Sequence, residues 1–156
     1  MRYAPMILRP GEKAAWYAMP HVIERVITFA RFHNLNEVTP LPEIIVSKFG
    51  LKDPSCIVIA ILDAEEQKVV GHLVATIEVY LGEHTAFIHQ WEMDKEVSSV
   101  ADDLRSTIDS MVEVWATTCG VRSITAMAES ESRVRLFKKN GYEKMCSLVR
   151  KGLFNG

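Results

Sequence analysis

The sequence predicts an α/β fold with a mixed central sheet and helices on both faces, in the order β-α-α-β-β-β-α-β-α-β. Three observations predict it. Short β-branched runs between turn residues indicate strands in the middle of the chain. A long stripe of apolar residues with a period of about 3.6 indicates a helix directly after them. A helix that connects two strands of one sheet makes a right-handed crossover, so the strands on either side of it should be parallel.

The first elements are a strand and two helices. A strand is expected over residues 3–8, where a Pro-Gly pair ends it. Apolar residues from position 22 to 33 recur at helical spacing, and Pro20 fits the first turn of the helix that they predict. A second helix should begin in TPLPEII, at Thr39 or Pro42, and end near Gly50.

Three strands follow these helices. SCIVIAIL is short and β-branched, as in a strand that is buried on both faces. VVGHLVATIEVYL and TAFIHQWEM come after polar turns and complete an antiparallel meander. Strict alternation in the last strand places His89 and Trp91 on one face of the sheet. It places Ile88, Gln90 and Glu92 on the other face.

The longest helix is expected over residues 99–119, because Val100, Leu104 and Ile108 belong to one apolar stripe. Gly120 fits its C-terminal cap. VRSITAMA then predicts a strand parallel to the third meander strand, and SESRVRLFKKN predicts a short helix that glycine stops. YEKMCSLVRK predicts a closing strand.

Composition predicts a single globular domain over residues 1–156. Hydrophobic residues make up 48% of the chain and charged residues 24%, so the chain can bury a core and does not have the composition of a disordered protein. The net charge of −2 provides no field that would hold a polyanion. We therefore expect no nucleic acid partner.

The sequence contains no pattern typical of a signal peptide, a membrane span or a metal site. The N-terminus has no apolar run of a signal peptide, and the longest apolar block, CIVIAIL, is far shorter than the roughly 20 residues that span a bilayer. We therefore expect a cytoplasmic protein with no membrane partner. Cys56, Cys119 and Cys146 form no CxxC pair, and the five histidines have no ligand spacing, so neither a metal site nor a disulfide framework is expected.

Three stretches carry a resemblance to a known family. LRPGE lies near the start, VVG opens a meander strand, and WATTCGVRSITAMAESESRVRLFKKNGYEKM covers residues 115–145. In this order they resemble the GNAT superfamily of acyl-CoA N-acyltransferases over nearly the whole chain, and they are also similar to GNAT-like proteins encoded by tailed bacteriophages. The resemblance implies acetyl-CoA as co-substrate, and an amine on a small molecule or a protein as the acceptor.

The resemblance also implies where acyl-CoA would lie. In this family the pantetheine pairs with a strand where two parallel strands part. The pyrophosphate lies at the N-terminus of the long helix, where free N–H groups and the helix dipole favour a phosphate. The backbone from Trp91 to Lys95 would hold the pantetheine, and basic side chains would hold phosphates. The cofactor-binding positions implied in this way are Trp91, Met93, Asp94, Lys95, Arg105, Ser130, Arg133 and Phe137.

The phosphate-binding turn departs from the family pattern. The family has an arginine or glutamine followed by two spaced glycines, whereas this chain has no glycine between Gly82 and Gly120. Asp102 and Asp103 add negative charge to the first turn of the helix, which disfavours a pyrophosphate. The alternative is a self-capping turn, in which Ser99 caps the helix and Asp102 returns a capping-box bond.

The short helix departs from the pattern as well. Phe137 matches a tyrosine that protonates the departing CoA thiolate in many family members, and without a hydroxyl it cannot donate a proton. Ser130 matches an asparagine where this helix begins, and its alternative role is an N-cap. The basic residues of the helix, Arg133 among them, could equally form a solvated face.

The candidate catalytic bases are polar residues of the central strands, because an amine must lose a proton before it attacks a thioester. Glu92 is the first candidate, since it lies near the end of the strand that should border the parting. Glu78 on the neighbouring strand and His89 are further candidates, with His89 facing away from Glu92. The alternative for each is a solvated or hydrogen-bonded side chain without a catalytic role.

Two classes of function stay open on the sequence. The first is an enzyme that transfers an acetyl or another acyl group from CoA to an amine, mainly by positioning the thioester beside the amine. The second is a GNAT-fold protein that has lost catalysis and acts as a binding, regulatory or assembly module, with a homodimer as one form. The replaced turn and Phe137 favour the second class.

Overall fold

The computed structural model describes residues 2–33, 41–50, 52–80, 82–145 and 151. Within these ranges the chain forms five strands and five helices. They are β1 (Tyr3–Ile7), α1 (Lys13–Phe32), α2 (Leu41–Gly50), β2 (Cys56–Asp63), β3 (Lys68–Tyr80), β4 (Glu83–Met93), α3 (Lys95–Ser98), α4 (Asp102–Thr118), β5 (Ile124–Ala126) and α5 (Glu131–Lys139).

The strands form one mixed sheet in the order β1-β2-β3-β4-β5. The pairs β1–β2, β2–β3 and β3–β4 are antiparallel. β4 and β5 are parallel, and their pairing runs from Ala86 opposite Ile124 to Ile88 opposite Ala126. The predicted meander and the predicted parallel crossover are therefore confirmed.

Helices cover both faces of the sheet, as predicted. The side chains of β2 alternate between two cores: Val58 packs with α1 and α2, while Ile59 packs with α4. Leu73 and Ile108 belong to the α4 core and are fully buried. Burial of such a side chain stabilises the fold by about 1.5–3 kcal/mol, so the apolar stripe of α4 fixes that helix on the sheet.

Helix α1 begins earlier than the sequence pattern predicts. Because α1 spans Lys13–Phe32, Pro20 lies inside the helix and not in its first turn. A proline there cannot donate to the carbonyl of Trp16. Both Pro20 and Trp16 are exposed, so water can satisfy that carbonyl, and the helix continues through the proline.

The start of the long helix also differs from the prediction. The short helix α3 precedes α4, and Ala101 occupies the N-cap position of α4 without a side-chain bond. The Ser99 hydroxyl donates to the carbonyl of Glu96 at 2.9 Å, so it does not cap α4. Val100 is 72% exposed, so it does not belong to the buried apolar stripe, contrary to the prediction. Gly120 adopts a φ of +80°, as expected for its C-terminal cap.

The predicted closing strand is not found where it should begin. Residues 142–145 belong to no strand, and residues 146–150 of this prediction lie outside the described residues.

A bulge in β4 changes which residues share a face. The register shifts between the pair Val74–Gln90 and the pair Ala75–Ile88, so His89 is an extra residue in β4. Ile88 packs in the α4 core together with Trp91, while Gln90 donates from Nε2 to the carbonyl of Val26 in α1 at 3.2 Å. The predicted strict alternation is wrong here because the extra residue resets it.

The same bulge corrects the predicted orientation of His89. Nε2 of His89 lies 2.7 Å from Oγ1 of Thr76. Thr76 alternates with Ala75 of the α4 core and shares the face of Val74, which packs with α1 and α2. Glu92 is opposite His72, which contacts Phe29 of α1. His89 and Glu92 therefore share one face of the sheet, contrary to the prediction.

Gly71 allows β4 to approach β3 closely. A Cβ atom at this position would lie 2.7 Å from the carbonyl oxygen of Glu92 and 3.0 Å from side-chain atoms of Ile61 and Met93. We expect Gly71→Ala to lower the free energy of unfolding by about 1–3 kcal/mol, because backbone cannot yield as a flexible side chain does. Urea denaturation measures this change, and a wild-type midpoint would contradict the close contact.

Candidate functional site

The central feature of the site is the place where β4 and β5 separate. Their last hydrogen bond joins the N–H of Met127 to the carbonyl of Ile88 at 3.2 Å. β4 continues to Met93, and no other strand of the described residues pairs with residues 89–93 on the side away from β3. The bulge at His89 bends β4 at this point. We call this parting, bordered by residues 89–93, the slot.

An open cleft of about 410 Å³ lies beside the start of α4. It is formed by α3, the first turn of α4 and the last turns of α5. Its lining carries three cationic side chains and one carboxylate. The lining residues are Lys95, Ser98, Ser99, Asp102, Arg105, Leu136 and Lys139.

Arg105 organises this cleft. Its Nη2 donates to the carbonyl and to the hydroxyl of Ser98, both at 2.7 Å, and its Nη1 donates to Asp102 at 3.1 Å. Arg105 therefore ties α3 to α4. The predicted capping box is wrong, because α4 has no side-chain cap and the Asp102 carboxylate binds Arg105 instead.

Two predicted cofactor residues on α5 do not line the cleft. The Ser130 hydroxyl accepts from the N–H of Arg133 at 3.2 Å, which confirms its alternative role as the N-cap of α5. The guanidinium of Arg133 donates to Glu129 at 2.9 Å. Lys139, at the end of the same helix, reaches the cleft instead. Its position there depends on how α5 packs on α4, which the sequence does not reveal.

Trp91, Phe137 and Tyr142 form an aromatic column on the α4 side of the sheet. The ring of Phe137 lies 6.0 Å from that of Trp91 and 5.0 Å from that of Tyr142, measured between centroids. The Tyr142 hydroxyl donates to Asp109 of α4 at 2.8 Å. Burial and the Asp109 carboxylate raise the pKa of Tyr142, so its hydroxyl stays protonated. Sequence analysis missed this pair because its partners are far apart in the chain.

Three predicted pantetheine residues lie at the end of β4. Met93 is opposite Gly71 of β3. The N–H of Asp94 already donates to the carbonyl of Val70 at 2.8 Å, so it is not free to bond a ligand. Lys95 begins α3 and lines the cleft.

Glu92 is half-buried on the α1 side of β4. Burial raises the pKa of its carboxyl, and the positive charges of Arg25 and Arg133 oppose this rise. Arg25 is itself paired with Asp94 at 2.9 Å. A carboxylate with a raised pKa is a stronger base than an ordinary glutamate, which suits the abstraction of a proton.

The other two candidate bases form a separate group with Thr76. The Thr76 hydroxyl donates to Glu78 at 2.7 Å and lies 2.7 Å from Nε2 of His89. Burial lowers the pKa of His89, which favours the neutral imidazole. No hydrogen bond joins Glu78 or His89 to Glu92 in the described part of the chain. Thr76 thus holds these two candidates together and away from the first one.

A buried polar network beside Glu92 was not predicted. His72 is fully buried, and its Nε2 lies 2.8 Å from Oε1 of Gln90. Burial lowers the pKa of His72 to about 4. The imidazole is therefore neutral at physiological pH, and its Nδ1 has no partner in the described residues.

The described residues offer neither a metal site nor a membrane-spanning helix. Nowhere in these ranges do three His, Cys, Asp or Glu side chains gather in a way that could hold a metal ion. None of the described helices combines the length and the apolar character needed to cross a membrane.

Comparison with known proteins gives matches at the level of structure. No family model matches the chain, and no curated protein has a significantly similar sequence. The AAC(6')-Iy enzyme in complex with the bisubstrate analog CoA-S-monomethyl-acetylneamine has a TM-score of 0.66 at 9% identity, covering 99% of this chain and 100% of that chain.

Two further structures are similar over almost their whole length. An aminoglycoside acetyltransferase from an uncultured soil metagenomic sample, in complex with sisomicin, has a TM-score of 0.63 at 13% identity, with 98% of this chain and 97% of that chain covered. A transcriptional regulator from Bacillus halodurans C-125 has a TM-score of 0.62 at 17% identity, with coverages of 96% and 100%. These likenesses show that the chain has the fold of the GNAT acetyltransferases.

Proposed function

We propose that this protein is an acyl-CoA-dependent N-acyltransferase that moves an acetyl group to an amine. The observation that carries the proposal is the slot between β4 and β5, which opens beside a cationic cleft at the start of α4. An extended thioester arm needs unpaired strand backbone, and a diphosphate needs positive charge. Here the two requirements are met side by side.

The cleft supports phosphate binding despite the missing glycines. Lys95, Arg105 and Lys139 supply three positive charges against the single carboxylate of Asp102. The Asp102 side chain is 96% exposed, and its charge is screened by solvent and by Arg105. Side-chain ammonium groups would therefore replace the open backbone that glycines provide in the family pattern.

Glu92 is the proposed general base. It would accept a proton from the acceptor amine, whose nitrogen attacks the thioester carbonyl carbon. The carbon–nitrogen bond forms as the carbon–sulfur bond breaks, and the electron pair of the broken bond goes to sulfur. The main rate gain would come from holding amine and thioester together in one orientation.

The acceptor is proposed to be an amine on a small molecule. Two of the similar structures contain aminoglycoside-type ligands, sisomicin in one and an acetylneamine conjugate of CoA in the other. In this chain the face of β4 that bears Glu92 also bears the ion pair of Arg25 with Asp94. An acceptor approaching from this side would meet the carboxylate of Glu92. The charges of Arg25 and Asp94 beside it nearly cancel each other.

A second function, a GNAT-fold module without catalysis, is favoured by one specific observation. The guanidinium of Arg105 is already engaged by Ser98 and Asp102, as a self-contained turn would require. Phe137 also lacks the hydroxyl of the family's proton donor. The similar structure of a transcriptional regulator indicates that the fold serves other functions too.

Titration with acetyl-CoA tests the proposal directly. A binder should gain roughly 2.7 kcal/mol of stability at a ligand concentration of 100 dissociation constants. We expect the double variant Lys95→Ala/Lys139→Ala to raise the dissociation constant by about 10-fold or more, because two charge-assisted contacts to phosphate are lost. Thermal unfolding with and without ligand measures the gain in stability. Isothermal titration calorimetry measures the dissociation constants.

Lys138→Ala is the matched control, since Lys138 is exposed on the same helix and does not line the cleft. It should bind acetyl-CoA as the wild type does. S-acetylpantetheine lacks the diphosphate, so it should bind weakly and with the same affinity to the wild type and to the Lys95→Ala/Lys139→Ala variant. Absence of any thermal shift at a large excess of acetyl-CoA would rule out the enzyme. Binding without transfer to any amine would favour the non-catalytic module.

A further inference from the structure

We propose that Trp91 is a catalytic residue whose indole N–H donates a hydrogen bond to the thioester sulfur as it departs. The inference rests on the proposed acyl transfer and names a group that would stabilise its leaving thiolate. It is carried by a buried donor that lacks a partner, by the position of Trp91 in the stretch of β4 that borders the slot, and by the neighbouring aromatic residues, which offer no free donor.

The first observation is the unsatisfied donor itself. Trp91 is only 6% exposed, and its Nε1 has no hydrogen-bond partner among the described residues. By contrast, Nε1 of Trp115 donates to the carbonyl of Pro54 at 2.9 Å. Buried side-chain donors are nearly always satisfied in folded proteins, so an exception needs an explanation. A ligand atom that arrives in the slot would supply the missing acceptor.

The second observation is the position of Trp91. It lies in β4 beyond Ile88, in the stretch that β5 no longer accompanies, and its side chain packs on the α4 side of the sheet. Its ring contacts the ring of Phe137 edge to face, at 6.0 Å between centroids. The start of α4 and the cationic cleft are on this same side, so an acyl donor with its phosphates in the cleft would pass Trp91.

The third observation concerns the neighbouring aromatic residues. Phe137 has no polar atom, and the Tyr142 hydroxyl is bound to Asp109 at 2.8 Å. Both rings are therefore excluded as donors to a ligand. In the column formed by these three residues, the indole N–H of Trp91 is the donor that remains unused.

The chemistry of indole defines the role. An indole N–H donates a hydrogen bond but does not give up its proton at physiological pH. When the carbon–sulfur bond breaks, the electron pair stays on sulfur, and the amine proton stays on Glu92. The thiolate leaves as an anion and takes a proton from water. Trp91 would lower the energy of the developing negative charge on sulfur without transferring a proton.

Trp91→Phe removes the donor and keeps an aromatic ring. We expect kcat to fall by about 10- to 100-fold with little change in acetyl-CoA affinity, because the bond forms to charge that develops in the transition state. The fall in kcat should be smaller for acetyl thioesters of more acidic thiols, because their leaving thiolates need less stabilisation. Trp115→Phe is the matched control, and it should keep the wild-type kcat.

A measurement on the wild-type protein keeps the proposal testable if Trp91→Phe does not fold. The chain has three tryptophans, so Trp16→Phe and Trp115→Phe assign the indole signal of Trp91 by elimination in ¹H–¹⁵N spectra. Binding of CoA in its thiolate form should move the Trp91 indole proton downfield, whereas CoA without the sulfur should not.

The outcomes separate this inference from the proposed function. An unmoved indole signal with CoA bound, or wild-type kcat in a folded Trp91→Phe variant, would overturn the role of Trp91 and leave acyl transfer intact. If calorimetry detects no CoA binding to the wild type, the proposed function fails and the role of Trp91 fails with it.

Discussion

Replacing Glu92 by glutamine should reduce the rate of acetyl transfer by roughly 10²- to 10⁴-fold, the range that general base catalysis contributes. Glutamine keeps the size and hydrogen-bonding shape of the side chain but cannot accept the amine proton. Glu92 lies on the face of β4 away from the cleft, so the affinity for acetyl-CoA should not change. Steady-state kinetics together with calorimetry separate the two quantities.

The pH dependence of the rate gives an independent check on Glu92. A general base works only when deprotonated, so kcat/KM should fall as the pH drops through the pKa of this carboxyl. Burial raises that pKa, and the acid limb of the profile should therefore lie above the range of an ordinary glutamate. Glu92→Gln should lose this limb.

Glu78→Gln is the matched control for the choice of base. Glu78 accepts a hydrogen bond from Thr76 at 2.7 Å, and a glutamine oxygen can accept the same bond. We expect transfer to continue at nearly the wild-type rate. A severe loss in Glu78→Gln together with an active Glu92→Gln would reverse the assignment of the base.

The second large effect is a loss of stability in acid that comes from His72. Burial lowers its pKa from an ordinary 6.5 to about 4, and the nearby charges of Arg25 and Arg133 act in the same direction. Between these two pH values the unfolded chain binds a proton that the folded protein does not. The free energy of unfolding should therefore fall by roughly 3 kcal/mol as the pH drops from 6.5 to 4.

Urea denaturation at several pH values measures this contribution. His72→Gln removes the titrating group and keeps a donor that can reach Gln90, so its free energy of unfolding should depend on pH less steeply, by about 1 kcal/mol per pH unit in this range. His84 is exposed on β4, and His84→Gln should keep the wild-type slope. Equal slopes in wild type and His72→Gln would contradict a neutral buried imidazole.

The elements with strong local patterns were predicted correctly. β2, β3 and β4 follow β-branched runs that polar turns separate, and each lies where the sequence places it. Leu104 and Ile108 of the predicted stripe are buried against the sheet. Such patterns act over a few residues, so they are visible in a linear sequence.

Errors occurred where a distant contact overrides the local pattern. Pro20 is an ordinary first-turn residue by sequence, yet α1 extends through it because Ala15 and Ala18 pack on the sheet. Serine is a residue type that often caps helices, but the Ser99 hydroxyl donates to the carbonyl of Glu96 in α3. In both cases the local preference of one residue stabilises the fold less than the packing of the whole helix does.

Two residues that line the cleft are among those that the resemblance implies. Lys95 and Arg105 line the cleft beside the start of α4, where the resemblance had implied phosphates. The grouping of Glu78 with His89 and the pairing of Arg133 with Glu129 could not be foreseen. These arrangements depend on side chains that meet across strands or across a cap.

The sequence by itself determined the order of the elements from β1 to α5, apart from the short helix α3, because apolar periodicity and turn residues are local properties. The tertiary structure decided how residues around the slot face one another. One extra residue at His89 places it on the same side as Glu92 and leaves Trp91 on the α4 side. A bulge forms only when two strands pair. The indole N–H of Trp91, which lacks a partner near this bulge, can therefore be recognised only in the folded chain.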